Sequence, residues 1–319
     1  MTPPVPSKSA GTLRRLGMLL GALALLLGVF YLRVRPWYQT WGASREELHS
    51  TLPGDELGFP GRAETRAIAI AAPAASVFAW VSQLGQDRAG FYSYELLEDL
   101  AGCEMPRVER LDPTLQHWNV GEKLWMYPPA KLHGLGYATL LAYQPRRALV
   151  FGTHAPQAAP GSALSGTWSF VVEPTAERSS RLVVRGTGGT PPSLLGAAFQ
   201  RTVFEPVHFA MERRMLEGIA ALAESRAAPS RLEDGAILFL WTATMSAFLG
   251  LGARVLRGAN WVRALVGFVA AGAVFQILTF VQPRLLLSLL LVAGLVPFFS
   301  SSWPWRSRAS SGARLAPEA

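Results

Sequence analysis

Five histidines are the first candidates for acid–base chemistry: His49, His117, His133, His154 and His208. An imidazole titrates close to neutral pH and can take and return a proton there. No two of them stand at the H-x-x-x-H spacing that aims two ligands from one helical face, so no zinc site is expected. His208 has Phe204 and Met211 at helical spacing beside it, which lets it serve an enclosed space as polar handle or general base. The plainer alternative is a helix histidine bonded to a backbone group or to solvent. Gln83, Asp87, Arg88, Tyr92 and Tyr94 form the densest polar-aromatic cluster. In a functional role, Gln83, Asp87 and Arg88 sit at a cavity mouth and a tyrosine hydroxyl binds a ligand oxygen. In a structural role, Asp87 caps the turn after Gly85, and Arg88 pairs with a nearby carboxylate such as Glu95 or Glu98.

Other reactive groups promise less. Glu98 and Asp99 are neighbours on a predicted helix and face different ways, unlike a glycosidase pair. Cys103 is the one cysteine, so no intramolecular disulfide can form; with no base beside it, a buried thiol is expected. Gly186-Thr187-Gly188-Gly189 has no lysine after it and reads as a loop rather than a phosphate cradle. Gly134-Leu135-Gly136 begins like a dinucleotide fingerprint. Thr139 stands where the third glycine belongs, and a strand follows instead of a helix. No catalytic motif is visible, and no metal or cofactor is implied.

The elements that must position these groups follow from periodicity. Ile68 and Ile70 alternate with Ala67, Ala69 and Ala71, giving a first strand. Pro73 opens a helix in which Val77, Trp80, Val81 and Leu84 share a face, with Gly85 as its C-cap. Tyr94–Ala101 is a short helix ending at Gly102. Strands are predicted over Lys123–Tyr127, Tyr137–Tyr143, Ala148–Thr153, Gly166–Val172 and Arg181–Arg185. Phe199–Ser225 then forms a long helix striped with Met211, Met215, Leu216, Ile219 and Leu222, which Pro206 kinks or starts. Strand, helices, antiparallel strands and a long last helix make an α+β layout.

The run Val81-Ser82-Gln83-Leu84-Gly85-Gln86-Asp87-Arg88-Ala89-Gly90-Phe91-Tyr92-Ser93-Tyr94, followed by Glu98-Asp99-Leu100-Ala101-Gly102, resembles a block found in bacterial members of the SRPBCC superfamily. These are the START-like and polyketide cyclase/dehydrase-like proteins. Val120-Gly121-Glu122, Gly166–Phe170 and Arg181–Arg185 also sit where that family has strands. The resemblance covers residues 63–225. It implies a helix-grip fold, with a curved antiparallel sheet closed by a long C-terminal helix, and a cavity between them for a hydrophobic or amphipathic molecule. Candidate lining is Trp80, Tyr92, Tyr94, Trp125, Trp168, Phe204, His208 and Met211; Trp118, Phe170 and Phe209 are further inward candidates. These aromatics would equally serve simply to fill a core.

The 319 residues are half apolar and only 16% charged, with a net charge of +8. Residues 34–233 hold 19 Lys/Arg against 20 Asp/Glu, a net of −1, and the two ends hold 11 against 2, a net of +9. The cations therefore flank the apolar ends rather than pattern a folded face, which argues against nucleic-acid binding. Toward the two ends of the chain, four long stretches carry no charge: Leu16–Leu32, Gly235–Ala253, Ala264–Pro283 and Leu285–Trp305. About 20 apolar residues in a helix cross a bilayer core. Pro297 and Ser300–Ser302 weaken the fourth, which spans or re-enters, with Trp303 and Trp305 suited to the interface. Gly17 and Gly21 form a GxxxG in the first. That first run has no small-x-small cleavage site and reads as an uncleaved anchor.

The expected organisation is an N-terminal tail and anchor (1–33), a connector (34–62), the helix-grip domain (63–225), a linker (226–234), a transmembrane region of about three helices (235–305) and a basic tail (306–319). Cation counts near the spans place the N-terminus in the cytoplasm and the domain outside. The expected function is binding of a hydrophobic or lipid-like molecule at the membrane, with membrane lipid as a partner. A cyclase- or hydrolase-type enzyme using His208, Tyr92 or Asp87 is one alternative, and a sensor or assembly module is another.

Overall fold

The computed structural model describes residues 8–59, 63–131, 136–154, 163–188, 193–228, 230–258 and 260–299. His133, Pro60, Gly61, Gly134, Leu135, Gly189, Ser300–Ser302, Trp303 and Trp305 lie outside them. Helix α1 (Lys8–Val29) widens into a π-helical turn, Phe30–Val34, and continues as α2 (Arg35–Gln39). Helix α3 (Arg45–His49) and a 3-10 turn, Asp55–Leu57, lead to β1 (Glu64–Ile70). Then come α4 (Ala74–Ser82), α5 (Glu95–Leu100), β2 (Lys123–Trp125), β3 (Tyr137–Gln144), β4 (Ala148–His154), β5 (Leu164–Ala176) and β6 (Ser179–Thr187). The chain ends in helices α6 (Leu194–Phe199), α7 (Glu205–Ala223), α8 (Arg231–Arg257), α9 (Trp261–Gln276) and α10 (Leu285–Ala293). Two compact units result: residues 29–238, and residues 1–28 with 239–319.

In the first unit the six strands form one antiparallel sheet in the order β1-β6-β5-β4-β3-β2. Register shifts at Leu140/Ala142, Thr153/His154 and Pro174/Ala176 interrupt its ladders; such bulges bend strands and raise local twist. Period-two alternation sorts the side chains. Trp168, Phe170 and Val172 of β5, Leu182 and Val184 of β6, Leu149 and Phe151 of β4 and Leu124 of β2 join one core with α4 and with Met215, Leu216 and Ile219 of α7. This is the α+β helix-grip arrangement, a curved sheet with the long helix across one face.

The residues between, Val171, Val183, Ala67 and Ala148, form a second cluster with Leu52 and Ala43. The connector therefore packs on the sheet as a structural layer. Arg181 donates to both oxygens of Glu47 at 2.8 Å each and to the Gly42 carbonyl at 2.8 Å. Arg185 donates to the Ser50 carbonyl at 2.9 Å, the Glu47 carbonyl at 2.5 Å and the Asp55 carboxylate.

The long helix that follows the sheet starts earlier than expected and runs through Pro206. Its path is Leu194–Phe199, a π-helical turn over Gln200–Phe204, then Glu205–Ala223. Proline lacks the N–H that would bond the carbonyl four residues back, and its ring crowds that carbonyl. The wider π turn before Pro206 accommodates both, and Phe30–Val34 does the same before Pro36.

Among the described residues, three helices are long and apolar enough to cross a membrane: Ala10–Gln39, Arg231–Arg257 and Trp261–Val281. The fourth run differs. As described, to Phe299, it forms the nine-residue α10, a turn at Gly294 and a 3-10 turn over Val296–Phe299; Gly294 and Pro297 break it below spanning length. The second unit's core comprises Leu26, Leu240, Leu251, Val255, Phe268, Ala271 and Leu278, with the Phe248 and Phe268 rings stacked 4.1 Å apart. Close packing falls at Gly267 and Gly272, where an added Cβ would meet Phe298 at 2.7 Å and Leu26 at 2.5 Å. Nothing among the described residues lies within 4 Å of such an atom at Gly17 or Gly21, so the GxxxG does not make a close helix contact here.

Candidate functional site

Glu64, Arg66, Ile68 and Ile70 share one face of β1 by alternation, so Arg66 must enter the same interior as Ile70. It does: its side chain is 3% exposed, and Nη1 donates to Glu212 Oε1 at 2.8 Å. Its Nε donates to the Tyr38 carbonyl at 2.9 Å, and Nη2 to the Glu64 carboxylate. Glu212 reaches this point from the apolar stripe of α7, three and four residues before Met215 and Leu216. Its other oxygen accepts from Trp168 Nε1 at 3.0 Å and lies 3.9 Å from His208 Nε2. Burial pulls Glu212 upward, yet the net effect of Arg66, His208 and the bonds from Arg66 and Trp168 holds it below the usual carboxylate range.

His208 is the outward end of this cluster, with a side chain 38% exposed. Its ring stacks nearly parallel on Phe204 at 5.8 Å and meets Trp168 edge-on at 5.8 Å. Trp168 stacks on Phe91 at 6.3 Å. The structure brings His208, Trp168 and Phe204, three of the candidate lining residues, into contact, and places behind them two charges that the sequence reading missed. Phe204 is itself 45% exposed, so only part of it faces the cluster. Met211 is half-buried, and its carbonyl accepts from Ser93 Oγ at 2.7 Å.

Gln83, Tyr92 and Trp80 form a separate group. Fully buried Gln83 donates to the Tyr92 hydroxyl at 3.0 Å and the Arg110 carbonyl at 3.1 Å, and accepts from the Asp112 amide at 3.0 Å and Gln116 Nε2 at 3.1 Å. Tyr92 meets Trp80 edge-on at 5.8 Å. Arg88 lies over the Trp118 ring at 4.1 Å and donates to the carbonyls of Ser82, Leu115 and His117. These two side chains pin the segment 110–118, and Arg88 is held by backbone oxygens and an indole rather than by Glu95 or Glu98. Asp87 is exposed. Gly85 and Gly90, both at positive φ, close the loop between them by exchanging backbone bonds at 3.1 and 2.9 Å.

Tyr94 is buried with Arg214 over its ring at 5.0 Å, and burial raises its pKa. Trp125 joins none of these groups. Leu124 takes the interior position of β2, so Trp125 points to the opposite face, where it meets Tyr137 at 5.1 Å under Lys123. His154 lies beside Tyr137 on that face, His117 is exposed, and His49 bonds the Arg45 carbonyl at 2.6 Å. Cys103 is buried, and desolvation pushes its thiol up to about 11. Among the described residues no group of three or more His, Cys, Asp or Glu is arranged to hold a metal.

A helix-grip unit with a half-open aromatic and ionic cluster between sheet and last helix is the class these features define. No protein-family profile matches the chain, and no curated protein matches it in sequence. Among solved structures it is similar to a protein from Thermobifida fusca (16% identity, 52% of this chain and 97% of that one, TM-score 0.34). It is also similar to a protein from Arthrobacter aurescens (18%, 52% and 87%, TM-score 0.30) and to a polyketide-cyclase-like protein from Corynebacterium glutamicum (16%, 56% and 91%, TM-score 0.24).

Proposed function

We propose that residues 29–238 form an SRPBCC-like unit that binds a hydrophobic or lipid-like small molecule between the sheet and α7, while the apolar helices hold it at a membrane. The observation that carries this reading is the buried Arg66–Glu212 pair, bonded to Trp168 and ending at half-exposed His208. An ion pair is a poor way to stabilise an apolar interior, because desolvation offsets much of its attraction. A few fixed polar groups in an aromatic setting are what a ligand site needs to orient an amphipathic molecule. Trp168, Phe204 and Met211 supply apolar wall, and His208 supplies the polar contact at the opening. The His208–Glu212 approach also gives the enzyme alternative its footing, with His208 as base. A membrane supplies and receives such cargo without passage through water.

Organic extraction of the purified full-length chain, read by mass spectrometry, tests the binding. The wild type should retain a lipophilic species that His208→Ala depletes, above a shared background of bulk lipid. Identical extracts from the two proteins would contradict the proposal.

A further inference from the structure

The first half of the long helix after the sheet carries apolar side chains that stand exposed among the described residues. Leu194 and Leu195 are 92% and 82% exposed, and Phe199, Val203 and Val207 are 45–53% exposed. Residues 195, 199, 203 and 207, four apart, make one stripe.

What covers this stripe follows from the register of two helices. Arg35 grips Glu205 with two bonds, at 2.8 and 3.0 Å. Tyr38 stacks on Phe209 at 5.1 Å, and Trp41 meets Phe209 at 6.4 Å. Arg213 lies over Trp41 at 4.7 Å. As the chain advances through 35, 38 and 41, its partners advance through 205, 209 and 213, so α2 and α7 run parallel. Behind Arg35 lies Phe30–Val34 and the uncharged run ending at Leu32, which leads into the first candidate span. Behind Glu205, in the same direction, lies the segment Leu194–Phe204. Eleven residues of helix reach about 16 Å to the membrane side of the Arg35–Glu205 bond.

We infer that Leu194–Phe204 is a membrane-inserted segment, with Leu194, Leu195, Phe199 and Val203 among lipid chains. Arg201, exposed and one turn before Glu205, reaches the headgroups as long cations do at an interface. Two hydroxyls on this stretch bond to backbone atoms of the helix. Ser193 Oγ accepts from the Gly196 amide at 3.0 Å, and Thr202 Oγ1 donates to the Ala198 carbonyl at 2.6 Å. This occupant is bilayer lipid, and the inference stands whether or not the unit carries a ligand.

Single cysteines at Leu195 and Phe199, labelled with the fluorophore NBD, test it in the full-length chain. Native Cys103 is buried and its thiol protonated, so it competes poorly for label. An identical label at Arg178, at the exposed β5–β6 turn, is the reference. In phosphatidylcholine–phosphatidylglycerol vesicles, the labels at 195 and 199 should emit to the blue of the one at 178 and be quenched by chain-spin-labelled phospholipid. Labels at 195 and 199 that escape that quenching would overturn the inference. Unshifted emission would then mean water around the stripe, and shifted emission would mean cover by a second copy of the chain or another protein.

Discussion

Removing the Glu212 carboxylate would leave Arg66 buried with Glu64 as its remaining carboxylate partner. Breaking a buried pair by one member costs about 3–5 kcal/mol, whereas replacing both members by apolar residues is often neutral. Glu212→Ala should therefore lower the melting temperature sharply, and the double variant Arg66→Met/Glu212→Leu should recover most of the loss. A double variant as unstable as the single would show that the pair does more than compensate its own burial. Glu98 gives a pH test. Burial, then the charges of Glu95 and Asp99, push its carboxyl up to about 8 from 4.5. The unfolded chain releases that proton near pH 4.5 and the folded chain keeps it, so this stabilising contribution is complete below pH 4.5 and is lost as pH rises through 8. Glu98→Gln should raise the melting temperature at pH 8.5 and change it little at pH 4.5; equal shifts at both would refute the assignment. Both buried charges of the candidate site were readable in principle. Arg66 stands in phase with Ile68 and Ile70, and Glu212 in phase with Met215, Leu216 and Ile219. A charge in phase with an apolar stripe is the signal, and it is lost when attention goes only to histidines and tyrosines.

Between elements, the contact that fixes α7 lies at Gly218. A Cβ there would meet the Tyr92 carbonyl oxygen at 2.4 Å and the Tyr92 Cβ at 2.9 Å. Backbone cannot yield as a side-chain tip can, so Gly218→Ala should cost stability by separating α7 from the Phe91–Tyr94 loop, although alanine is the better helix former by about 1 kcal/mol. Thermal unfolding checks it, and a gain in melting temperature would contradict the packing. On the other sheet face, Arg185→Ala should free the connector and speed proteolysis between Ser44 and Gly58; an unchanged cleavage pattern would show that Leu52 and the Arg181–Glu47 pair suffice. Strand and helix identities were legible because alternation and helical striping are strong local signals. The connector's place on the sheet was not, since Pro and Gly mark turns without saying what the turns pack against. Trp125 is a candidate for the lining of the cavity that the resemblance implies, but Leu124 beside it takes the interior phase of a three-residue strand too short to show alternation.

At the scale of the whole molecule, charge partition and uncharged runs point to three helices of spanning length among the described residues, and Gly294 with Pro297 explains why the fourth run is broken as far as Phe299. From the cation counts near the spans we propose that the unit lies outside; a cysteine placed at Ser50 should then react with an impermeant reagent added to intact cells, and exclusion of the reagent would overturn that orientation. Ligand binding between sheet and α7 is tested most directly by photo-crosslinking. Benzoylphenylalanine replaces Trp168, beside Glu212 and His208, or Trp125, on the opposite sheet face. Each full-length protein is irradiated in its native membrane, purified and weighed intact. The Trp168 variant should carry a small-molecule adduct that the Trp125 variant lacks; no adduct at Trp168, or equal adducts at both positions, would contradict a ligand between sheet and helix.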